Sequence, residues 1–255
     1  MMLNDEIKDF LNFKVEEFNK PAFIDLDPIS IPHQFTAKED IEISAFLTAT
    51  ISWGNRKAIL KAANEMMLLM GQSPYDFVIN ANKKQLIKTA EFYYRTFNGA
   101  DFTYFIHSLR NIYQHHGGLE IVFNKLSNRY TIQETIGHFK ELFFELPHER
   151  RTVKHVSNPM SGSAAKRINM MLRWLVRSDN KGVDFGLWKH ISPSRLSCPL
   201  DVHSGNTARK LGILSRNQND AKAVIELDKV LSSFDPLDPV KYDFALFGLG
   251  VIEKF

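Results

Sequence analysis

At 255 residues the chain is long enough for one large helical domain or two small ones, and 44% hydrophobic residues supply an ample core. A formal charge of +3, from 32 Lys and Arg against 29 Asp and Glu, sets no preference for polyanions by itself. The single cysteine, Cys198, excludes an internal disulfide, a four-cysteine zinc site and a cysteine-ligated iron–sulfur cluster. No apolar run approaches the roughly 18 residues of a membrane span. Residues 1–20 carry Asp5, Glu6, Glu16 and Glu17 where a signal peptide needs an apolar stretch, so a soluble, cytoplasmic, monomeric protein is expected.

Residues 3–19 repeat apolar side chains at helical spacing (Ile7, Phe10, Leu11, Val15, Phe18), and Pro21 ends that helix. Residues 22–34, with Pro28 and Pro32, are expected as an extended arm. Thr36 to Glu39 has a capping-box pattern opening a strongly apolar helix over 41–51. Gly54-Asn55 breaks it, and a further helix covers 57–70 before Gly71. A short helix or turn is expected over 74–79, a helix over 83–94, and another to about 115 with Asp101 as its cap. Helices over 119–128 and 131–144 precede an irregular basic loop, 147–159. The lysine-bearing helix over 163–177, a loop over 178–186 and a short helix near Trp188 come next. Asp201 caps a helix ending at Leu211-Gly212, residues 221–234 form another, and Asp238-Pro239 starts the last. No strand pairing is expected. The fold class is all-α.

The chemistry-bearing stretch is 158–208. Over 163–177 the apolar positions Ile168, Met171, Leu172, Leu175 and Val176 form one face, and Lys166, Asn169, Arg173 and Arg177 the other. The N-terminal end of that helix, with Ser161, Gly162 and Ser163, offers backbone N–H groups and a positive dipole to a phosphate. Arg150, Arg151, Lys154 and His155 add positive or titratable groups just upstream. Lys166 falls in the first turn, where dipole and neighbouring cations favour the neutral, nucleophilic form of an amine. Each feature also has an ordinary architectural reading: a solvated face for the cations, an N-cap for Asp201, a packed turn for Trp53, Asn55 and Arg56. Tyr93, Tyr94, Arg95, Phe97 and Asn98 mix aromatics with a cation, which suits either base stacking or a core. His107, His115 and His116 have no recognised metal spacing, and no phosphate-binding glycine loop is present, so neither a metal nor a nucleotide cofactor is expected.

The segment Lys166-Arg-Ile-Asn169-Met-Met-Leu172 resembles the second helix of the helix-hairpin-helix motif in DNA glycosylases of the endonuclease III and 8-oxoguanine glycosylase type. Pro-Leu-Asp201-Val-His203, followed by Ala208-Arg209-Lys210-Leu211-Gly212, is similar to that superfamily's catalytic-aspartate segment. Residues 239–248 resemble its closing helix, and 46–55 the helix and loop that enter the duplex. The chain as a whole resembles an uncharacterised bacterial family of unknown function allied to that superfamily. The resemblance implies two helical subdomains with a cleft between them and no iron–sulfur cluster. About 36–198 would form a helical barrel with the hairpin, and 1–35 plus 199–255 the second subdomain. It implies a base-excision glycosylase with abasic-site lyase chemistry, acting on double-stranded DNA with a damaged or abasic site and needing no cofactor. Lys166 and Asp201 would be catalytic. Ser161, Gly162, Ser163, Arg150, Arg151, Lys154, Arg173 and Arg209 would hold the backbone. Trp53, Asn55, Arg56 and His203 would meet the base. The alternatives are a non-catalytic nucleic-acid-binding protein of the same fold and a helical protein–protein scaffold.

Overall fold

A computed structural model describes residues 4–255, so the expected start of the first helix at Leu3 lies outside the described residues. In chain order the helices are α1 (Asn4–Phe18), α2 (Lys38–Ile51), α3 (Arg56–Leu69), α4 (Pro74–Asn80), α5 (Lys83–Thr89) and α6 (Gly99–His115). They continue as α7 (Leu119–Ser127), α8 (Ile132–Phe143), α9 (Lys166–Val176), α10 (Val202–Lys210), α11 (Ala221–Phe234) and α12 (Tyr242–Phe247). A π-turn, Gly248–Ile252, follows α12 directly. The protein is mostly helical, as its periodicity requires.

Several local expectations are corrected. Residues 22–34 are not extended but wind into three 3-10 turns, Pro21–Leu26, Pro28–Ser30 and Pro32–Gln34. Proline's fixed φ serves the first position of a turn as well as an extended arm, and Asp27 favours the turn by accepting from the Ile29 N–H at 3.1 Å. The N-cap of α2 is Ala37 rather than Thr36, with no side-chain cap. Residues 83–94 do not form one helix. α5 stops at Thr89, and β1 (Tyr93–Tyr94) pairs antiparallel with β2 (Phe97–Asn98). Asn98 rather than Asp101 caps α6, in a capping box that Asp101 closes from the third helical position. No helix forms near Trp188; a 3-10 turn at Pro193–Arg195 lies beyond it. Asp238 makes no cap bond, because its carboxylate is taken by Arg177.

The chain divides into two compact units. The first comprises residues 1–25, 130–137 and 157–255, the second 26–129 and 138–156. Residues 157–198, with α9, therefore fall with the terminal segments and not with the 36–198 barrel. The first unit's core joins Leu11 and Val15 of α1, Val224, Leu227 and Leu231 of α11, and Tyr242, Ala245 and Leu246 of α12. Each fully buried leucine or valine there contributes about 1.5–3 kcal/mol by leaving water.

The second unit's core is aromatic. Phe46, Phe105, Phe139 and Phe143 meet with ring centroids 4.7–5.7 Å apart in mostly edge or tilted arrangements. Within it Asp101 is fully buried. Burial would push its carboxyl up. The His155 ring, with Nε2 3.2 Å away, and hydrogen bonds from the Asn98 N–H and Thr152 more than offset that and hold it well below the usual carboxylate range. Arg151 completes the group through Nη1, 2.7 Å from Asp101 Oδ2. Asp101→Asn should cost about 3 kcal/mol, since it leaves buried donors and a cation without their acceptor. A folded value below the unfolded one means that Asp101's contribution is present above the unfolded value and lost as pH falls below about 4. Denaturant midpoints measured against pH should show that acid-limb loss in the wild type and not in the variant.

Candidate functional site

α9 begins in a constrained loop. Asn158 Oδ1 accepts from the Met160 N–H at 2.9 Å, closing the turn Pro159–Ser161. Gly162 then takes φ +92°, a left-handed conformation that admits glycine without strain. Its carbonyl accepts from the Ala221 N–H at 3.1 Å, tying the loop to the start of α11. Ala165, the N-cap of α9, also has positive φ, +45°, and offers no side-chain cap; Ser163 Oγ accepts from its N–H at 3.1 Å. Non-glycine residues in that region cost on the order of 1 kcal/mol or more and persist where surroundings impose them. The helix thus starts abruptly at Lys166, with Ser161 and Gly162 exposed beside its N-terminal end.

Asp201 caps α10, and it has a second partner. Its Oδ1 accepts from the N–H groups of His203 (2.8 Å) and Ser204 (3.0 Å), while Ser204 Oγ accepts from the Asp201 N–H at 2.9 Å. Its Oδ2 lies 3.8 Å from Lys166 Nζ. The side chains are 28% and 27% exposed, so the pair is open to a ligand. One oxygen of this carboxylate therefore serves the helix start and the other faces the lysine.

Two supports hold Asp201 in place. The Asp201 carbonyl accepts from Asn219 Nδ2 at 3.0 Å, and Asn219 Oδ1 accepts from Arg209. Upstream, the Cys198 N–H donates to Asp228 Oδ1 at 2.9 Å, and burial pushes that carboxyl up to about 7. Burial also pushes the Cys198 thiol well up, keeping it as an unreactive thiol.

The insertion between the two residues leaves the pair intact because it packs at the other end of α9. There the Phe185 and Trp188 N–H groups donate to the Trp174 and Leu175 carbonyls at 2.8 and 2.9 Å, satisfying acceptors a helix terminus leaves open.

The expected cationic face of α9 is not a solvent face. Asn169, Arg173 and Arg177 are buried. Arg173 pairs with Asp184 at 3.2 Å and with Asp243, and its guanidinium stacks on Phe244 at 4.3 Å. Arg177 pairs with Asp179, Asp184 and Asp238 at 2.7–3.1 Å. Arg173 is consequently not placed to grip a phosphate. Arg209 is half-buried and donates to the Arg216 carbonyl at 2.8 Å as well as to Asn219. His203 is exposed, two residues beyond Asp201.

The remaining expected residues belong to the second unit. Arg150 and Lys154 are exposed on the 3-10 turn Arg150–His155. Arg151 holds that turn to Asp101, Asn98 Oδ1 (3.1 Å) and the Thr96 carbonyl (2.9 Å). Trp53 packs edge-on against Tyr94 at 5.5 Å, and its carbonyl accepts from the Tyr94 hydroxyl at 2.7 Å. Asn55 caps α3 through Ala58 N–H at 3.2 Å. Arg56 is half-buried beside it. Among the described residues no cluster of His, Cys, Asp and Glu is arranged to hold a metal, and no helix is long and apolar enough to cross a membrane.

A family described as "Protein of unknown function (DUF2400)" matches residues 27–252. The chain belongs to that family. Neither the curated proteins nor the solved structures contain a match to it.

Sequence reasoning missed Ser204, Asn219 and Asp243. Asp243 had one signal, a lone acid in the apolar run Tyr242–Phe247. Burial pushes its carboxyl up to about 6, against the opposing pull of Arg173 and Lys166. With the folded value above the unfolded one, its contribution to stability is complete below about pH 4 and lost as pH rises through about 6. Asp243→Asn should therefore flatten the decline in thermal midpoint between about pH 4 and pH 7. An unchanged slope in the variant would contradict this placement of the proton.

Proposed function

We propose that this protein is a DNA glycosylase of the helix-hairpin-helix type with abasic-site lyase activity. The observation that carries the reading is the Lys166–Asp201 pair, 3.8 Å apart, solvent-accessible, and built at the starts of two helices. Beside this pair, the reading rests on the sequence resemblance to that superfamily.

In this mechanism the Lys166 amine attacks C1′ of the deoxyribose and the base departs with the bonding electrons. At an abasic site the same amine adds to the open-chain aldehyde, and loss of water gives the Schiff base. Asp201 Oδ2 takes the ammonium proton beforehand, passes it to the departing base, and as a carboxylate again faces the positive charge on the sugar. Approach by about 1 Å on substrate binding brings the carboxylate into direct proton-transfer range, a tightening common when a free enzyme meets its substrate. Oδ1 remains on the α10 N–H groups throughout, so the carboxylate is held in orientation while its other oxygen works. The exposed Ser161 and Gly162, beside the positive end of α9, suit a backbone phosphate.

Borohydride reduction on a duplex with one abasic site is the test. The wild type should form a covalent protein–DNA adduct, and Lys166→Ala none. Asp201→Asn should slow adduct formation about 10²–10⁴-fold, the usual size of a general acid–base contribution. Asparagine is itself a good N-cap, so stability should change by less than about 1 kcal/mol. No adduct from the wild type, or full adduct from Lys166→Ala, defeats the reading.

A further inference from the structure

The β1–β2 hairpin of the second unit has two unlike faces. Tyr94 and Phe97 are paired across it, both buried against the core. Residues directly opposite on antiparallel strands share a face, and neighbours along a strand alternate. Tyr93 and Asn98, the other pair, therefore share the outward face. Tyr93 is 70% exposed there.

Cations are fastened to the second strand of the hairpin. Asn98 Oδ1 and the Thr96 carbonyl both accept from Arg151, which anchors the turn bearing exposed Arg150 and Lys154 beside the hairpin. The hairpin tip is itself strained: Arg95 has φ +54°. Its guanidinium lies against Gly54, where φ is +101° and a Cβ would collide with it. Across residues 53–56, 93–98 and 149–155 there are five Arg and Lys and one acid, Glu149. Arg151 is paired with Asp101, and the remaining cations, exposed Arg150 and Lys154 among them, still outnumber Glu149. Trp53 is engaged from below by Tyr94 and so serves as support.

We infer that this hairpin face is a second nucleic-acid contact, a stacking platform for an unpaired base of a DNA strand. Tyr93 takes the face of the base, and Arg150 and Lys154 meet the flanking phosphates. An exposed aromatic beside cations that track a backbone is the arrangement that binds single strands without reading their sequence. The choice of DNA among polyanions rests on the function proposed above; the platform itself does not depend on Lys166.

The test is fluorescence anisotropy of the full chain with a single-stranded oligonucleotide lacking any abasic site. Tyr93→Ala should weaken binding about 5- to 100-fold and Tyr93→Phe by less than about twofold, since stacking needs the ring and not the hydroxyl. The double variant Arg150→Ala/Lys154→Ala should reduce the slope of log affinity against log salt by about 1.4, two single-strand phosphate contacts. Wild-type affinity in Tyr93→Ala, or equal losses in the Ala and Phe variants, overturns the inference. Lys166→Ala should leave this binding unchanged. Tyr93-dependent binding without a borohydride adduct would defeat the lyase reading alone. A normal adduct with Tyr93-independent binding would defeat the platform alone.

Discussion

Two buried guanidinium groups at the C-terminal end of α9, Arg173 in its last turn and Arg177 as its C-cap, hold together the largest ion-pair group of the first unit's described residues. Arg173 and Arg177 share the carboxylates of Asp179, Asp184, Asp238 and Asp243, drawn from the loop after α9 and from the C-terminal segment. Removing one member of such a group leaves an uncompensated charge out of water, at a cost of about 3–5 kcal/mol. Four acids against two cations would leave an excess of negative charge, and burial raises the carboxyls of both Asp238 and Asp243. Proton uptake at Asp243 relieves that imbalance. These ion pairs fix the C-terminal end of α9, seven residues and more from Lys166 at its start.

Asp201 reaches the same spot from another part of the chain through a division of labour within one carboxylate. A cap bond and a catalytic orientation are often treated as rival explanations for an aspartate at a helix start. Here Oδ1 serves the α10 backbone and Oδ2 faces the amine. Capping restricts the side-chain torsions, so the second oxygen is aimed without an additional partner. The Arg209–Asn219 chain and the Asp228 contact hold the backbone on either side of it.

The sequence made the helices legible wherever apolar spacing ran for three turns or more, as in α1, α3, α11 and the lysine helix. It also singled out Lys166 and Asp201 as a candidate pair, and the fold brings them within 3.8 Å of each other. It failed where the deciding partner is remote in the chain. Arg173 and Arg177 lie opposite an apolar stripe, a pattern that reads as a solvated face unless one knows that acids at 179, 184, 238 and 243 fold over it. Asp238 precedes a proline as a cap would, yet its carboxylate belongs to Arg177, 61 positions away. The β1–β2 hairpin was hidden because Tyr93 to Asn98 is too short to show alternation, and its turn depends on a left-handed arginine that no propensity favours.

The most direct measurement is to locate the reduced adduct within the protein. After borohydride treatment with abasic DNA, nuclease and protease digestion followed by mass spectrometry should put the sugar remnant on Lys166, in the peptide that spans the start of α9. A remnant on Lys154, Lys210 or the chain's terminal amine, with Lys166 unmodified, would contradict the account.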